Sequence, residues 1–203
     1  MVDEAIDAIV EALASAPVRL GRTRLVCIDG PAGSGKSTLS AELARRIVCP
    51  VLHMDDIYEG WGGLEGAWAR LEADVLAPLR ERRAGRYRRY DWHLEAFAEQ
   101  HLVPATDVLV LEGCGSARLE AEDVAAVTVW VEAPAALRMV RGLARDGEAS
   151  RPHWEEWMVA ESEHFARNRT RERAVVHVDG MGRLVKDARA PRTVPRVPDD
   201  GPL

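Results

Sequence analysis

The chain has 203 residues, 47% of them hydrophobic and 30% charged, which fits one soluble globular domain with a single core. Its formal net charge of -6 argues against a general nucleic-acid binder, which needs a basic surface, and no apolar run approaches the roughly 18 residues that cross a bilayer. The acidic opening MVDEAIDAIVEALASAP lacks the basic start of a secretory signal, so a cytoplasmic protein with no membrane and no nucleic-acid partner is expected.

Along the chain, Ile6, Ile9, Val10 and Leu13 recur at helical spacing and predict an amphipathic helix that ends before Pro17. RLVCI, residues 24–28, predicts a short buried strand. A glycine-rich stretch follows directly, and Leu39, Leu43 and Ile47 then share one face of a second helix. PVLHMDD predicts a second strand ending in Asp55 and Asp56, while DVLVLEG, VTVWVEA and AVVHVDG predict three more. Strands alternating with helices imply a mostly parallel sheet covered on both faces, with ligands bound outside the carboxyl ends of the strands. The glycine stretch, Asp55 and Glu112 all fall at such ends.

The connection over residues 56–105 is longer than one crossover helix requires, and predicts a substrate-binding insert. Within it Leu64, Trp68, Leu71, Val75 and Leu79 have helical spacing. Residues 1–180 are expected to form one domain, and 181–203, rich in Pro, Arg and Asp, a loose tail. Cys27, Cys49 and Cys114 are odd in number and far apart, which predicts free thiols.

Residues Gly30 to Ser37, GPAGSGKS, match G-x-x-x-x-G-K-[ST] between a strand and a helix, the context that gives this motif its meaning. Its glycines let successive backbone N–H groups turn toward phosphate oxygens, and the helix adds its positive end. Gly30, Gly33, Ser34, Gly35, Lys36, Ser37 and Thr38 are therefore the expected ATP-binding residues. Lys36, one of only two lysines, would bridge the β- and γ-phosphates, while Ser37 and Glu112 would hold Mg²⁺. An ordinary solvated strand end is the alternative for Glu112.

Together these residues resemble the phosphate-loop kinases of the uridine kinase, phosphoribulokinase and nicotinamide riboside kinase group. The resemblance implies a phosphate-loop NTPase fold with five parallel strands in the order 2-3-1-4-5, plus a helical substrate-binding insert and a lid over 146–153. It puts Asp55 in the place of the catalytic Asp and Tyr58 in that of a following tyrosine, with Ile57 where the group has an aromatic; the alternative for Asp55 is a helix cap. Tyr90, Asp91 and Trp92 match a Tyr-Asp-Phe stretch of the nucleoside pocket, but Glu95 stands where a histidine is expected. No clear counterpart exists for the acid that holds ribose hydroxyls, Glu65 and Glu72 being the nearest.

Arg138, Arg141 and Arg145 share one helix face, distinct from an apolar stripe of Leu137, Val140 and Leu143. By resemblance this is the arginine-rich lid helix, with Arg141 and Arg145 catalytic and Arg138 in contact with substrate; the alternative is a set of surface salt bridges. The implied activity is transfer of the γ-phosphate of Mg·ATP to a hydroxyl of a small molecule, foremost a nucleoside. A nucleoside monophosphate kinase, with the arginines of residues 82–89 reading the acceptor phosphate, is one alternative. An ATP-binding regulatory module with slow hydrolysis is the other.

Overall fold

Alternating side chains of the central strand decide the layers of the fold. In the computed structural model, which describes residues 2–186, β1 (Arg24–Asp29) turns Leu25 and Cys27 into one hydrophobic cluster and Val26 and Ile28 into another, as the two-residue period of a strand requires. With β2 (Val51–His53), an antiparallel pair β3 (Gly85–Asp91) and β4 (Ala96–Val103), then β5 (Val108–Glu112), β6 (Ala125–Glu132) and β7 (Val176–Asp179), the strands form two sheets. The larger is all parallel and runs β2-β5-β1-β6-β7. Numbered within that sheet alone, its strands follow the order 2-3-1-4-5.

Helices cover both faces. α1 (Val2–Ser15) buries Ile6, Ile9 and Leu13, and α2 (Lys36–Ile47) buries Leu39 and Leu43, on the Val26 and Ile28 side. On the other side lies the insert, where α3 (Ala67–Leu71), a single π-helical turn over Glu72–Leu76 and α4 (Ala77–Arg80) supply Trp68, Leu71, Val75 and Leu79. α5 (Ala135–Asp146), α6 (Arg151–Asn168) and the short α7 (Thr170–Arg173) complete the chain before β7. No helix among the described residues is long and apolar enough to cross a membrane.

One expectation is corrected. The insert is not wholly helical, since its second half is the hairpin of β3 and β4. Along β3 the buried residues Gly85, Tyr87 and Tyr90 are separated by arginines, so its strand pattern is hidden within a charge run. The loop Trp92–Glu95 also carries none of the glycine or asparagine that marks a tight hairpin, although Glu95 adopts φ 50.

α5 faces the other way from its apolar stripe. Arg138 and Gly142 are its buried residues, while Leu137 and Val140 are exposed. The neighbour it meets is polar backbone, the carbonyls of Ala32 and Gly33, which accept from Arg138 at 3.2 Å and Arg141 at 3.2 Å. Donors therefore turn inward and the aliphatic residues outward.

Gly142 lets α5 and α6 approach, because a Cβ there would lie 2.3 Å from the indole of Trp154. Alanine would gain up to about 1 kcal/mol in helix propensity, but overpacking a closed contact costs about 1–3 kcal/mol. Gly142→Ala is thus expected to lower stability, read as a lower urea midpoint with unchanged slope.

The expected lid tip, 146–153, comprises the end of α5, Gly147, one turn over Glu148–Ser150 and the start of α6. Of the expected tail, Leu184 bridges back to Val178, and residues 187–203 lie outside the described residues. Cys27, Cys49 and Cys114 are free thiols.

Candidate active site

The carboxyl ends of the parallel strands open into a cleft of ≈ 1050 Å³. The glycine-rich loop between β1 and α2 lies along one side, with Gly33, Gly35, Lys36, Ser37 and Thr38 facing it. Gly33 and Gly35 adopt φ 76 and 106, values that L side chains rarely tolerate. A Cβ on Gly35 would find its nearest neighbour, the Gly180 carbonyl, 3.9 Å away, so the backbone is bare and open there. Among the described residues the hydroxyl of Ser34, buried and outside the cleft lining, has no hydrogen-bond partner. Bare backbone, a lysine and a helix start suit an anionic phosphate chain.

Gly30 is placed differently. Its N–H donates to Asp29 Oδ1 at 2.7 Å, and a Cβ on it would collide with the Val131 carbonyl at 2.0 Å. It shapes the loop and does not face the cleft.

Lys36 is 6% exposed and donates to the Pro31 carbonyl at 3.0 Å, with Cys114 Sγ at 3.8 Å. Burial opposes its charge, but Cys114, Glu112, Glu161 and Asp29 outweigh burial and hold its pKa above the ordinary lysine value. Ser37 donates to Glu112 Oε1 at 3.2 Å, and His53 Nδ1 lies 2.7 Å from Oε2. Burial would raise the Glu112 carboxyl, yet the His53 hydrogen bond and the Lys36 charge bring it below the usual range. A hydroxyl beside an ionised carboxylate is an oxygen-donor set that fits Mg²⁺, which takes one or two carboxylates and completes its shell with phosphates and water. The described residues hold no group of three or more His, Cys, Asp or Glu able to bind a metal by themselves.

Asp55 sits on the 3-10 turn after β2 and lines the same cleft. Among the described residues only its backbone carbonyl is engaged, by Trp92 Nε1 at 3.0 Å; its carboxylate accepts no hydrogen bond. Solvent in the open cleft reaches Asp55, but protein crowds it elsewhere. That desolvation and the Glu112 charge push its carboxyl above the ordinary range, against Lys36, Arg145 and His53. Asp56 instead accepts from the Tyr87 hydroxyl at 2.9 Å.

The other expected residues separate into two groups. Arg141 and Arg145 line the cleft, donating to the carbonyls of Gly33 and Gly180 and to Asp146, respectively. Tyr58 and Tyr90 also line it; Tyr58 is buried and its hydroxyl donates to the Cys114 carbonyl at 2.6 Å. Asp91 and Arg138 do not line the cleft. The Asp91 carboxylate closes the hairpin turn through the N–H groups of His93 and Leu94 and pairs with Arg89, and Arg138 is held behind the loop by Glu161 at 2.6 Å. Glu65 is bound to Arg167 and His164 and Glu72 to Arg80, and neither lines the cleft.

Trp61, beside two glycines, reads from the sequence as either a pocket or a surface residue, and Trp154 and Trp157 read as helix packing, while Asp29 carries no signal of its own. Trp61 stacks on His153 at 5.4 Å and meets Trp92 edge-on at 5.5 Å, and Trp154 and Trp157 complete an aromatic wall. Asp29, wholly buried, accepts from Gly30, Gly115 and Ala117 at 2.7, 2.9 and 2.8 Å, and burial pushes its carboxyl up to about 6. It joins the glycine-rich loop to the segment after β5. Asn in its place has one acceptor oxygen, so at least one buried N–H loses its partner. Asp29→Asn is expected to cost about 2–4 kcal/mol of unfolding free energy, measured by denaturant titration.

A family model described as an AAA domain matches residues 26–173. No curated protein matches the chain. Among solved structures, the chain is similar to a possible uridine kinase from Bacillus stearothermophilus, at 20% identity and a TM-score of 0.64 over 87% of this chain and 98% of that one. It is also similar to a candidate fructose transport system kinase from Silicibacter sp. TM1040, at 20% identity and a TM-score of 0.58 over 83% and 95%. At these identities the likeness shows a shared phosphate-loop fold.

Proposed function

The chain belongs to the AAA domain family, and from that membership and its cleft we propose that it moves the γ-phosphate of Mg·ATP to a hydroxyl of a small molecule. The observation that carries this reading is the common cleft, which Lys36, Ser37 and the uncommitted carboxylate of Asp55 all line. Gly33, Ser34, Gly35, Lys36 and Thr38 would hold the phosphate chain. Ser37 and Glu112 would hold Mg²⁺, which when bound neutralises charge on the phosphate oxygens.

Asp55 accepts the proton of the attacking hydroxyl on its free carboxylate, since no hydrogen bond competes for it. Arg141 and Arg145 hold their forks against carbonyls and Asp146, and a transferring phosphoryl group competes for those donors and is stabilised by them. The aromatic wall with Tyr58 and Tyr90 shields the acceptor from water and offers flat surfaces to a ring such as a nucleobase.

The arginine run argues against a nucleoside monophosphate as acceptor. Arg82, Arg83, Arg86 and Arg88 are exposed and outside the cleft. Arg89 alone reaches it, and its guanidinium is bound to Glu99 and Asp91. Only this one cation of the run is within reach of a second phosphate, and two carboxylates compete for it where Arg145 has one. ADP release from Mg·ATP should therefore be accelerated by a member of a panel of uncharged hydroxyl compounds, nucleosides included, and not by the monophosphates. Acceleration by a monophosphate would transfer the reading to that class, and indifference to every acceptor would favour the regulatory module.

A further inference from the structure

We infer that Glu161 is a positioning residue that ties the phosphate loop to the aromatic wall of the acceptor side. It lies on α6, is 1% exposed and faces no part of the cleft. Its Oε2 accepts from two places, the N–H of Ala32 at 2.8 Å and the indole N–H of Trp157 at 3.0 Å, and the single thiol hydrogen of Cys114 has a choice between this oxygen at 3.5 Å and the Gly30 carbonyl at 3.3 Å. Its Oε1 accepts from Arg138 at 2.6 Å, and the same Arg138 nitrogen donates to the Ala32 carbonyl at 3.2 Å. The N–H and C=O of one loop residue are thus held by an ion pair whose members come from α5 and α6.

The far side of this carboxylate is the acceptor wall. The Trp157 ring meets Tyr58 edge-on at 5.1 Å and Trp61 at 6.1 Å, and all three line the cleft. The Tyr58 hydroxyl donates to the carbonyl of Cys114, whose sulfur lies 3.8 Å from Lys36 Nζ. A single oxygen therefore meets both the loop that would take phosphates and the wall that would take the acceptor. Buried networks of this kind have few arrangements, because every displaced donor leaves a polar group unpaired. A shift of the loop peptide at Ala32 must be matched at Trp157, and the reverse.

Glutamine tests this directly. An amide has one acceptor oxygen where the carboxylate has two, so its NH₂ must face either Arg138 or the Ala32 and Trp157 donors. The inference rests on the proposed binding of nucleotide by the loop, and the experiment separates the two. Wild type and Glu161→Gln, each with and without Trp157→Phe, are titrated with a non-hydrolysable ATP analogue and Mg²⁺. Calorimetry reads the affinity, and indole fluorescence of wild type and of Glu161→Gln, each minus its own Trp157→Phe counterpart, reads the Trp157 response in each.

The expected result is a Trp157 response to nucleotide in wild type that is lost in Glu161→Gln, with affinity about ten-fold weaker, the size of one hydrogen bond to a charged group. A purely structural Glu161 would leave the response in place once the variant is folded. That retained response, affinity within two-fold of wild type, or a wild-type Trp157 blind to bound nucleotide would overturn the inference. Failure of wild type to bind the analogue would overturn the proposed function and the inference together. Should Glu161→Gln not fold, Glu161→Asp keeps the charge for Arg138 but shortens the reach to Ala32 and Trp157, and the same loss of response is expected.

Discussion

Replacing Lys36 with methionine is expected to lower phosphotransfer by about a thousand-fold, the range seen when one preorganised donor to developing charge is removed, while the fold survives. The only other lysine in the chain is Lys186, and among the described residues the Lys36 Nζ is engaged only by the Pro31 carbonyl and Cys114. The acids around it keep direct partners when it is gone: Glu112 has His53, Glu161 has Arg138, and Asp29 has three backbone N–H groups. Methionine also removes the cost of burying a charge. Melting temperature should change by no more than a few degrees, as for a stability change of about 1 kcal/mol. Retention of a tenth of the rate would show that phosphate is held elsewhere.

Asp55→Asn should reduce turnover by about 10²- to 10⁴-fold, the usual contribution of a positioned base, and leave nucleotide affinity within two-fold. The amide is isosteric but cannot take a proton. The wild-type profile carries a second signature. A base must be ionised to act, so the rate should fall as pH drops through the Asp55 value, which the crowding of the cleft wall and the Glu112 charge raise above the ordinary carboxylate range. That acid limb should be absent from the residual activity of Asp55→Asn. Equal losses in nucleotide affinity and turnover would instead make Asp55 a binding residue.

How far the sequence alone could go follows from the range of each interaction. The glycine-rich loop, its flanking strand and helix, and the acids ending β2 and β5 are local patterns, and they were open to reading because spacing along the chain sets their geometry. The direction in which α5 turns was not open in the same way. Arg138 and Arg141 face inward because carbonyls of a loop over a hundred residues earlier await donors, which no periodicity within α5 reveals. Glu161 and Ala32 are 129 residues apart and Asp29 and Ala117 are 88 apart, so their hydrogen bonds exist only once the sheet has ordered the chain. Tyr87 and Tyr90 belong to a strand whose exposed partners are arginines, and the charge run conceals the alternation. Arg138 illustrates the limit most clearly: it shares a helix face with Arg141 and Arg145, yet the ion pair with Glu161 holds it behind the loop.

The central claim is that phosphate passes from nucleotide to an organic hydroxyl within one cleft. Following the label of γ-labelled ATP with Mg²⁺, in the presence of the panel of uncharged hydroxyl compounds, tests it most directly. The account predicts label on one organic acceptor in one-to-one ratio with ADP, both falling together by about a hundred-fold or more in Lys36→Met and Asp55→Asn. Label found only in inorganic phosphate, at a rate no acceptor alters, would contradict it.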